Sequence, residues 1–168
     1  MVMIPTIVTC LRSIHRPRFF DTELGFQGEL LAELRGALPG VGLTGDAVVE
    51  QEYQKRLGAH GIDVRPDLIV HVQTPAGGNT HENNFAVFEL NHKAGPKEVQ
   101  EDFANLDAVL RALDYPLGVF VNIGTSRTQA ARYQGPFKDR IHFFAVRLRK
   151  DVVELRHAFY ADGHLVEE

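Results

Sequence analysis

The spacing of apolar residues divides the chain into segments typical of helices and strands. From residue 21 to residue 38, four leucines recur at helical spacing, and Asp21 or Thr22 is suited to cap the start of a helix. These leucines are Leu24, Leu31, Leu34 and Leu38. A second helix is predicted to begin near Pro96, because a proline in the first turn loses no hydrogen bond. One face of this helix is marked by Val99, Phe103, Leu106, Leu110 and Leu113.

The remaining apolar segments are short and favour strands. They read AVVEQEYQKRL, DLIVHV, FAVFELN, LGVFVNIG, RIHFFAVRLR and VVELRHAFY. LGVFVNIG is almost wholly apolar, which is typical of a central strand covered on both faces. TSRTQAARYQG fits either a short helix or an ordered loop. The predicted order is therefore α-β-β-β-α-β-(α)-β-β, an α/β fold in which a mixed sheet is flanked by helices. The sequence assigns no role to residues 1–20, for which an extra strand with an arm and a partner contact are the two alternatives.

Length and composition indicate one ordinary globular domain spanning residues 1–168. Apolar residues make up 44% of the chain and charged residues 24%. A single cysteine, Cys10, excludes an internal disulfide and a cysteine-based zinc cluster. No apolar run is long enough to span a membrane. The N-terminus is apolar first and basic afterwards, the reverse of a signal peptide, so we expect a cytoplasmic chain.

Charge is distributed unevenly along the chain. From Asp21 to Asp114 there are 16 acids against 7 Lys and Arg, whereas from Tyr115 to Tyr160 there are 3 acids against 8. Residues 1–20 hold three arginines and no acid. If the basic stretches meet in space, they can bind a polyanion beside an acidic centre. Charge alone favours the alternative of scattered, solvated side chains.

Two adjacent strands each carry one carboxylate among apolar residues. Side chains alternate along a strand, so Asp67 shares a face with Ile69, and Glu89 shares a face with Asn91. Paired with those faces together, the two strands bring Asp67 and Glu89 close to each other. Two buried carboxylates repel unless a positive charge lies between them, and Mg²⁺ favours oxygen ligands. The pattern therefore predicts a site for a hard divalent cation.

RPDLIVHV, a loop and then NNFAVFELN resemble the PD-(D/E)XK nuclease superfamily, which has the restriction-endonuclease-like fold. Pro66-Asp67 matches its first element and Glu89 its second, and the preceding helix carries Glu29. The resemblance covers about residues 22–124, the core of the predicted domain. A C-terminal hairpin is predicted at about residues 140–160. The resemblance implies a metal-dependent nuclease with Mg²⁺ or Mn²⁺ held by Asp67 and Glu89, and by Glu29 through water.

The resemblance also indicates what the protein would bind. It implies nucleic acid as the substrate, with DNA favoured over RNA, and a possible homodimer. Arginines of the C-terminal half would then bind the phosphate backbone, and Arg147, Arg149 and Lys150 are among the candidates.

The sequence departs from the family at Asn91, where the motif has a catalytic lysine. Asn is neutral and cannot supply a cation. Three explanations stay open: the lysine role has moved to Lys93, it has moved to Lys55, or it is absent. In the last case the protein is a catalytically degenerate nuclease fold that acts as a nucleic-acid-binding or protein-binding module. The histidines nearby (His71, His81 and His92) fit no zinc motif and are expected to be ordinary polar residues.

Overall fold

The computed structural model describes residues 3–43, 46–51, 64–72 and 83–168. The helices are α1 (Met3–Ser13), α2 (Glu23–Ala37) and α3 (Pro96–Leu113). The strands are β1 (Ala47–Gln51), β2 (Leu68–Val72), β3 (Asn84–His92), β4 (Gly118–Ile123), β5 (Ile141–Arg149), β6 (Val152–Ala161) and β7 (His164–Glu167). Short 3₁₀ helices occupy Pro17–Phe20, Leu38–Gly40 and Ala130–Arg132. The prediction of a mixed α/β fold is confirmed at this level.

The seven strands form one sheet in which their spatial order follows their order in the chain. Strand β4 lies parallel to both β3 and β5, and the other neighbouring pairs are antiparallel. Helix α3 provides the crossover between β3 and β4, as a parallel connection requires. Strand β4 is the middle strand and every one of its residues is buried, which confirms the prediction from its apolar sequence.

Helices cover both faces of the sheet and enclose two hydrophobic cores. On one face α1 and α2 pack against Val70, Phe88 and other residues of the central strands. On the opposite face α3 packs against Ile69, Val87 and Phe120. Strands β2 to β6 therefore contribute residues to both cores, and polar residues at core positions stand out as candidates for function.

Helices α2 and α3 begin where the sequence predicts. Thr22 precedes α2, and its Oγ1 accepts a hydrogen bond from Gly25 N at 3.1 Å. Pro96 lies in the first turn of α3, and all five predicted apolar residues of that helix are buried. The prediction is wrong for Leu24, whose side chain is 63% exposed, because the packed face of α2 runs through Phe26, Leu30 and Leu34 instead.

The expectation of a strand near the N-terminus is wrong, because residues 3–13 form helix α1. The β-branched residues of this segment are typical of strands, but the spacing of its buried residues is helical: Met3, Ile7, Cys10 and Leu11. The C-terminus also has a third strand, β7, that the predicted order does not contain. Residues 124–140 connect β4 to β5 as a loop with one 3₁₀ turn, so the loop alternative holds there.

Two predicted features lie outside the described residues. These are the continuation of β1 that carries Lys55 and the long loop that carries His81. Within the described ranges, no helix is long and apolar enough to cross a membrane.

The two-residue turn between β5 and β6 is a site where stability can be increased. Lys150 and Asp151 have φ values of 50° and 62°, the left-handed conformation that Asn-Gly adopts most easily in such turns. Replacing the pair with Asn-Gly should raise the free energy of unfolding by about 1 kcal/mol, because this conformation is strained for other residues. Urea unfolding would measure the change. Lys150→Ala is the control, and a double variant no more stable than this control would contradict the prediction.

Candidate metal centre

The pairing of β2 and β3 brings Asp67 and Glu89 together, as the alternation of side chains predicts. Leu68 pairs with Phe88 and Ile69 with Val87, so Asp67 lies opposite Glu89 one step beyond the end of β2. Ile69 and Val87 belong to the core beneath α3. Alternation therefore directs Asp67, Glu89 and Asn91 towards the α3 side of the sheet.

Contacts from two elements hold Asp67 in place. Its Oδ2 accepts a hydrogen bond from Leu90 N at 2.7 Å, and its backbone carbonyl accepts one from Gln27 Nε2 at 2.9 Å. Gln27 is buried on α2, so this helix helps to fix the start of β2. An acid that only caps a turn would not need this contact to a neighbouring strand.

Glu89 is the residue with the least satisfied side chain in this region. It is 4% exposed, and its Oε1 has no hydrogen-bond partner within the described part of the chain. Asn105 on α3 hydrogen-bonds to the carboxyl group. Burial raises the pKa of Glu89 well above its ordinary value of 4.5, and the charges of Asp67 and Asp102 raise it further. The charges that act most strongly on Glu89 are therefore all negative.

Asn91, at the motif lysine position, contacts another acid of the same region. Its Nδ2 donates a hydrogen bond to Asp102 Oδ2 at 2.8 Å. Burial raises the pKa of Asp102 to about 6, although the Asn91 hydrogen bond acts to lower it. Asp102 is not among the site residues predicted from the sequence. Its only signal was its place on the predicted α3, next to the buried Phe103.

Helix α2 contributes Glu23, whereas the sequence predicted Glu29. Glu23 acts electrostatically on both Glu89 and Asp102, and burial raises its own pKa. Gln27, one turn after Glu23, faces Asp67, and Glu29 lies about 200° further round the helix. Glu29 therefore points away from the face of α2 that carries Gln27. We refer to Glu23, Asp67, Glu89 and Asp102 as the acid cluster.

Lys93 lies just after β3, and its side chain extends across Gly124. The backbone of Lys93 has a φ of 58°, which ends the extended conformation, and its N–H donates to Ile123 O at 2.9 Å. A Cβ atom on Gly124 would lie 3.1 Å from Lys93 Cε. The chain bends at Lys93, and the bend directs this side chain towards the end of β4. Its role in the reaction stays a prediction.

Two of the histidines have partners that fit a structural role. His71 Nε2 lies 2.7 Å from Glu50 Oε2, and His92 Nε2 donates to Phe20 O at 2.9 Å. Among the predicted phosphate-binding residues, Arg147 and Arg149 both pair with Glu154. Their charges are therefore partly neutralised.

The acid cluster offers oxygen ligands of the kind that hard cations favour. Among the described residues, no group of three or more His, Cys, Asp or Glu side chains is arranged so that it could hold a metal ion. Mg²⁺ commonly binds through one or two carboxylates, with waters and substrate phosphates as its other ligands. Asp67 and Glu89 fit that pattern, since Glu89 Oε1 is buried without a partner in the described chain and lies among like charges.

The structure combines a mixed α/β fold with a cluster of acids beside the central sheet, of which Glu89 is buried and the others are half-buried. Comparisons with models of protein families, with curated proteins and with solved structures found no match to this chain.

Proposed function

We propose that this protein is a metal-dependent nuclease with a restriction-endonuclease-like fold, and that Asp67 and Glu89 hold Mg²⁺ or Mn²⁺. The observation that carries the proposal is Glu89 Oε1, a buried oxygen without a hydrogen-bond partner among the described residues, beside the charges of Asp67 and Asp102. A buried carboxylate among other carboxylates is costly unless a cation offsets the repulsion. The sequence resemblance supports the same function.

Each neighbouring residue has a role in this proposal. Leu90 N–H and Gln27 orient Asp67, and the Asn105 side chain hydrogen-bonds to the carboxyl group of Glu89, whose Oε1 has no partner among the described residues. Asn91 holds Asp102, which supplies a further negative charge close to the cation. When bound, the cation would polarise a phosphoryl oxygen and lower the pKa of an attacking water.

The second candidate function is that of a nucleic-acid-binding or protein-binding module without catalysis. The observation in its favour is that the amide of Asn91 donates to Asp102, while Lys93 extends across Gly124. Neither contact supplies a positive charge to the acid cluster. A protein of this kind would keep the acids and bind a cation without cleaving a substrate.

Calorimetric titration with Mg²⁺ and Mn²⁺ tests the cation site shared by both functions. We expect binding to the unaltered protein, and loss of that binding in Asp67→Asn and in Glu89→Gln. Asp102→Asn should weaken binding by about tenfold, as is typical when a partner of a metal ligand is changed. Absence of binding to the folded protein, with or without an oligonucleotide present, would contradict the proposed cation site.

Replacing Asn91 with lysine discriminates between the nuclease and the inactive module. Cleavage of labelled DNA and RNA would be measured for both proteins with Mg²⁺ and with Mn²⁺. Cleavage by the unaltered protein supports the nuclease. Cleavage only after Asn91→Lys indicates a degenerate site. Lys93→Ala is the companion variant, and it should abolish cleavage if the lysine role has moved to that residue.

A further inference from the structure

Three arginines surround a cavity on the same side of the sheet as the acid cluster. The cavity has a volume of about 300 Å³ and is lined by residues 126–132, Arg156 and Glu167. Arg127 and Arg132 lie on the loop after β4, and Arg156 lies on β6. We refer to this cavity as the arginine cleft.

The guanidinium groups of the arginine cleft are available for an anionic ligand. Arg127, Arg132 and Arg156 are exposed, and none of them forms an ion pair with another residue in the described ranges. Arg132 Nε donates to Gln129 Oε1 at 3.0 Å, a neutral acceptor that leaves its charge uncompensated. The one acid of the cavity, Glu167, accepts a hydrogen bond from Thr128 Oγ1 at 3.2 Å. The cleft therefore carries an excess of positive charge.

A buried asparagine connects the cleft to the strand that carries Glu89. Asn122 of β4 is 1% exposed. Its Nδ2 donates to Arg127 O at 3.0 Å, and its Oδ1 accepts from Ala94 N, also at 3.0 Å. Ala94 follows the end of β3. The loop of the cleft is thus fixed relative to the acid cluster by the structure of the sheet.

The spacing between strands gives the distance between the two sites across the sheet. Arg156 lies two residues before Ala158, which packs in the core beneath α3, so Arg156 and Glu89 are directed to the same face of the sheet. Strands β3 and β6 are three positions apart in the sheet, which corresponds to about 14 Å. A ligand with several phosphates along an extended backbone can reach both sites at once, whereas a single phosphate cannot.

We propose that the arginine cleft binds the phosphodiester backbone of a nucleic acid while another phosphate of the same strand lies at the acid cluster. This inference rests on the proposed nuclease function for the role of the second phosphate. Arginine is suited to the task because its planar guanidinium forms paired hydrogen bonds with phosphate oxygens. The contact would be independent of base sequence, since the backbone is the same at every position.

Binding of labelled oligonucleotides without divalent metal tests this inference separately from cleavage. Fluorescence anisotropy would be measured with duplex DNA, single-stranded DNA and RNA, between about 50 and 200 mM salt. We expect the triple variant Arg127→Gln, Arg132→Gln, Arg156→Gln to bind at least tenfold more weakly than the unaltered protein. The slope of log K against log salt should fall by about 2 to 3, because three phosphate contacts are lost.

A matched control removes three positive charges near the opposite ends of the parallel strands. This variant is Arg111→Gln, Lys138→Gln, Arg140→Gln, and its binding should stay within twofold of the unaltered protein. Circular dichroism would verify that both triple variants are folded. Equal losses in the two variants would show that general surface charge is responsible, and would overturn the inference.

Further outcomes separate this inference from the nuclease proposal. The proposal that the arginine cleft binds a nucleic-acid backbone is overturned by either of two results. In one, the unaltered protein binds none of the oligonucleotides; in the other, it binds inorganic phosphate but no oligonucleotide. Binding that depends on the cleft arginines, in a protein that neither binds metal nor cleaves, would leave the arginine cleft supported and the nuclease proposal refuted.

Discussion

Replacing Glu89 with glutamine should abolish metal-dependent cleavage and make the fold more stable at neutral pH. Activity is expected to fall by at least about 100-fold, because changes even to the partners of metal ligands cost 10- to 100-fold. The free energy of unfolding should rise by about 1–3 kcal/mol, the usual cost of a buried polar group without its hydrogen bonds. Glutamine keeps the shape, removes the charge and can donate to the oxygens of Asp67 or Asp102.

The gain in stability should depend on pH in a defined direction. The pKa values of Glu89 and Asp102 are raised in the folded protein, mainly by burial. The folded state therefore binds protons more readily than the unfolded state, and stability falls as pH rises through the range above about 4. Below pH 4.5, the ordinary pKa of Glu89, its carboxyl is protonated in both states. The advantage of glutamine should therefore disappear there.

Thermal unfolding at several pH values, without added metal, would measure this effect. A gain of 1 kcal/mol corresponds to about 2–4 °C in Tm for a chain of this size. Glu33→Gln is the matched control, since Glu33 is a half-buried acid on α2 outside the acid cluster, and it should leave cleavage unchanged. A Glu89→Gln protein that is less stable than the unaltered protein at pH 7 would show that Glu89 is not under electrostatic strain.

Replacing Phe103 with alanine should cause the largest loss of stability among the variants considered. Phe103 is 4% exposed on α3, and its ring forms edge contacts with Phe120, Tyr133 and Phe143 at centroid distances of 5.2–5.5 Å. Removing a buried phenylalanine typically costs about 3–5 kcal/mol through lost burial and the cavity left behind. The free energy of unfolding of an ordinary domain is about 5–15 kcal/mol, so this loss is a large fraction of the total.

Urea unfolding would test the prediction, with Phe103→Leu as the conservative variant. The leucine should recover more than half of the loss, because it fills most of the cavity. Phe137→Ala is the control, since Phe137 is only partly buried at the edge of the same core. A loss below about 1 kcal/mol for Phe103→Ala would mean that the site collapses around the missing ring. The packing of α3 on the sheet would then not depend on this aromatic cluster.

The acid cluster shows how far the sequence can predict a site. Strand alternation in β2 and β3 was sufficient to place Asp67 and Glu89 on one face, and the structure brings them together. The same pattern contained no information on Asp102 or Glu23. These residues join the cluster only because α3 and α2 pack against β3 at that point. Glu29 looked equally suitable in the sequence, but the face of α2 that contacts Asp67 carries Glu23 and Gln27 instead.

The local elements of this protein follow from its sequence, whereas the contacts between distant side chains depend on tertiary packing. The apolar period of α3, the cap at Thr22 and the buried character of β4 depend on neighbours a few residues apart, so they can be read from the chain. The sequence of residues 1–20 did not indicate helix α1, whose β-branched residues also suit a strand and whose buried face is defined by its packing on α2. The arginine cleft joins Arg127 to Arg156 across strands β4 to β6, and the acid cluster joins Glu23 to Asp102. Such contacts between distant residues arise from the packing of elements on a sheet face, for which the local sequence carries no signal.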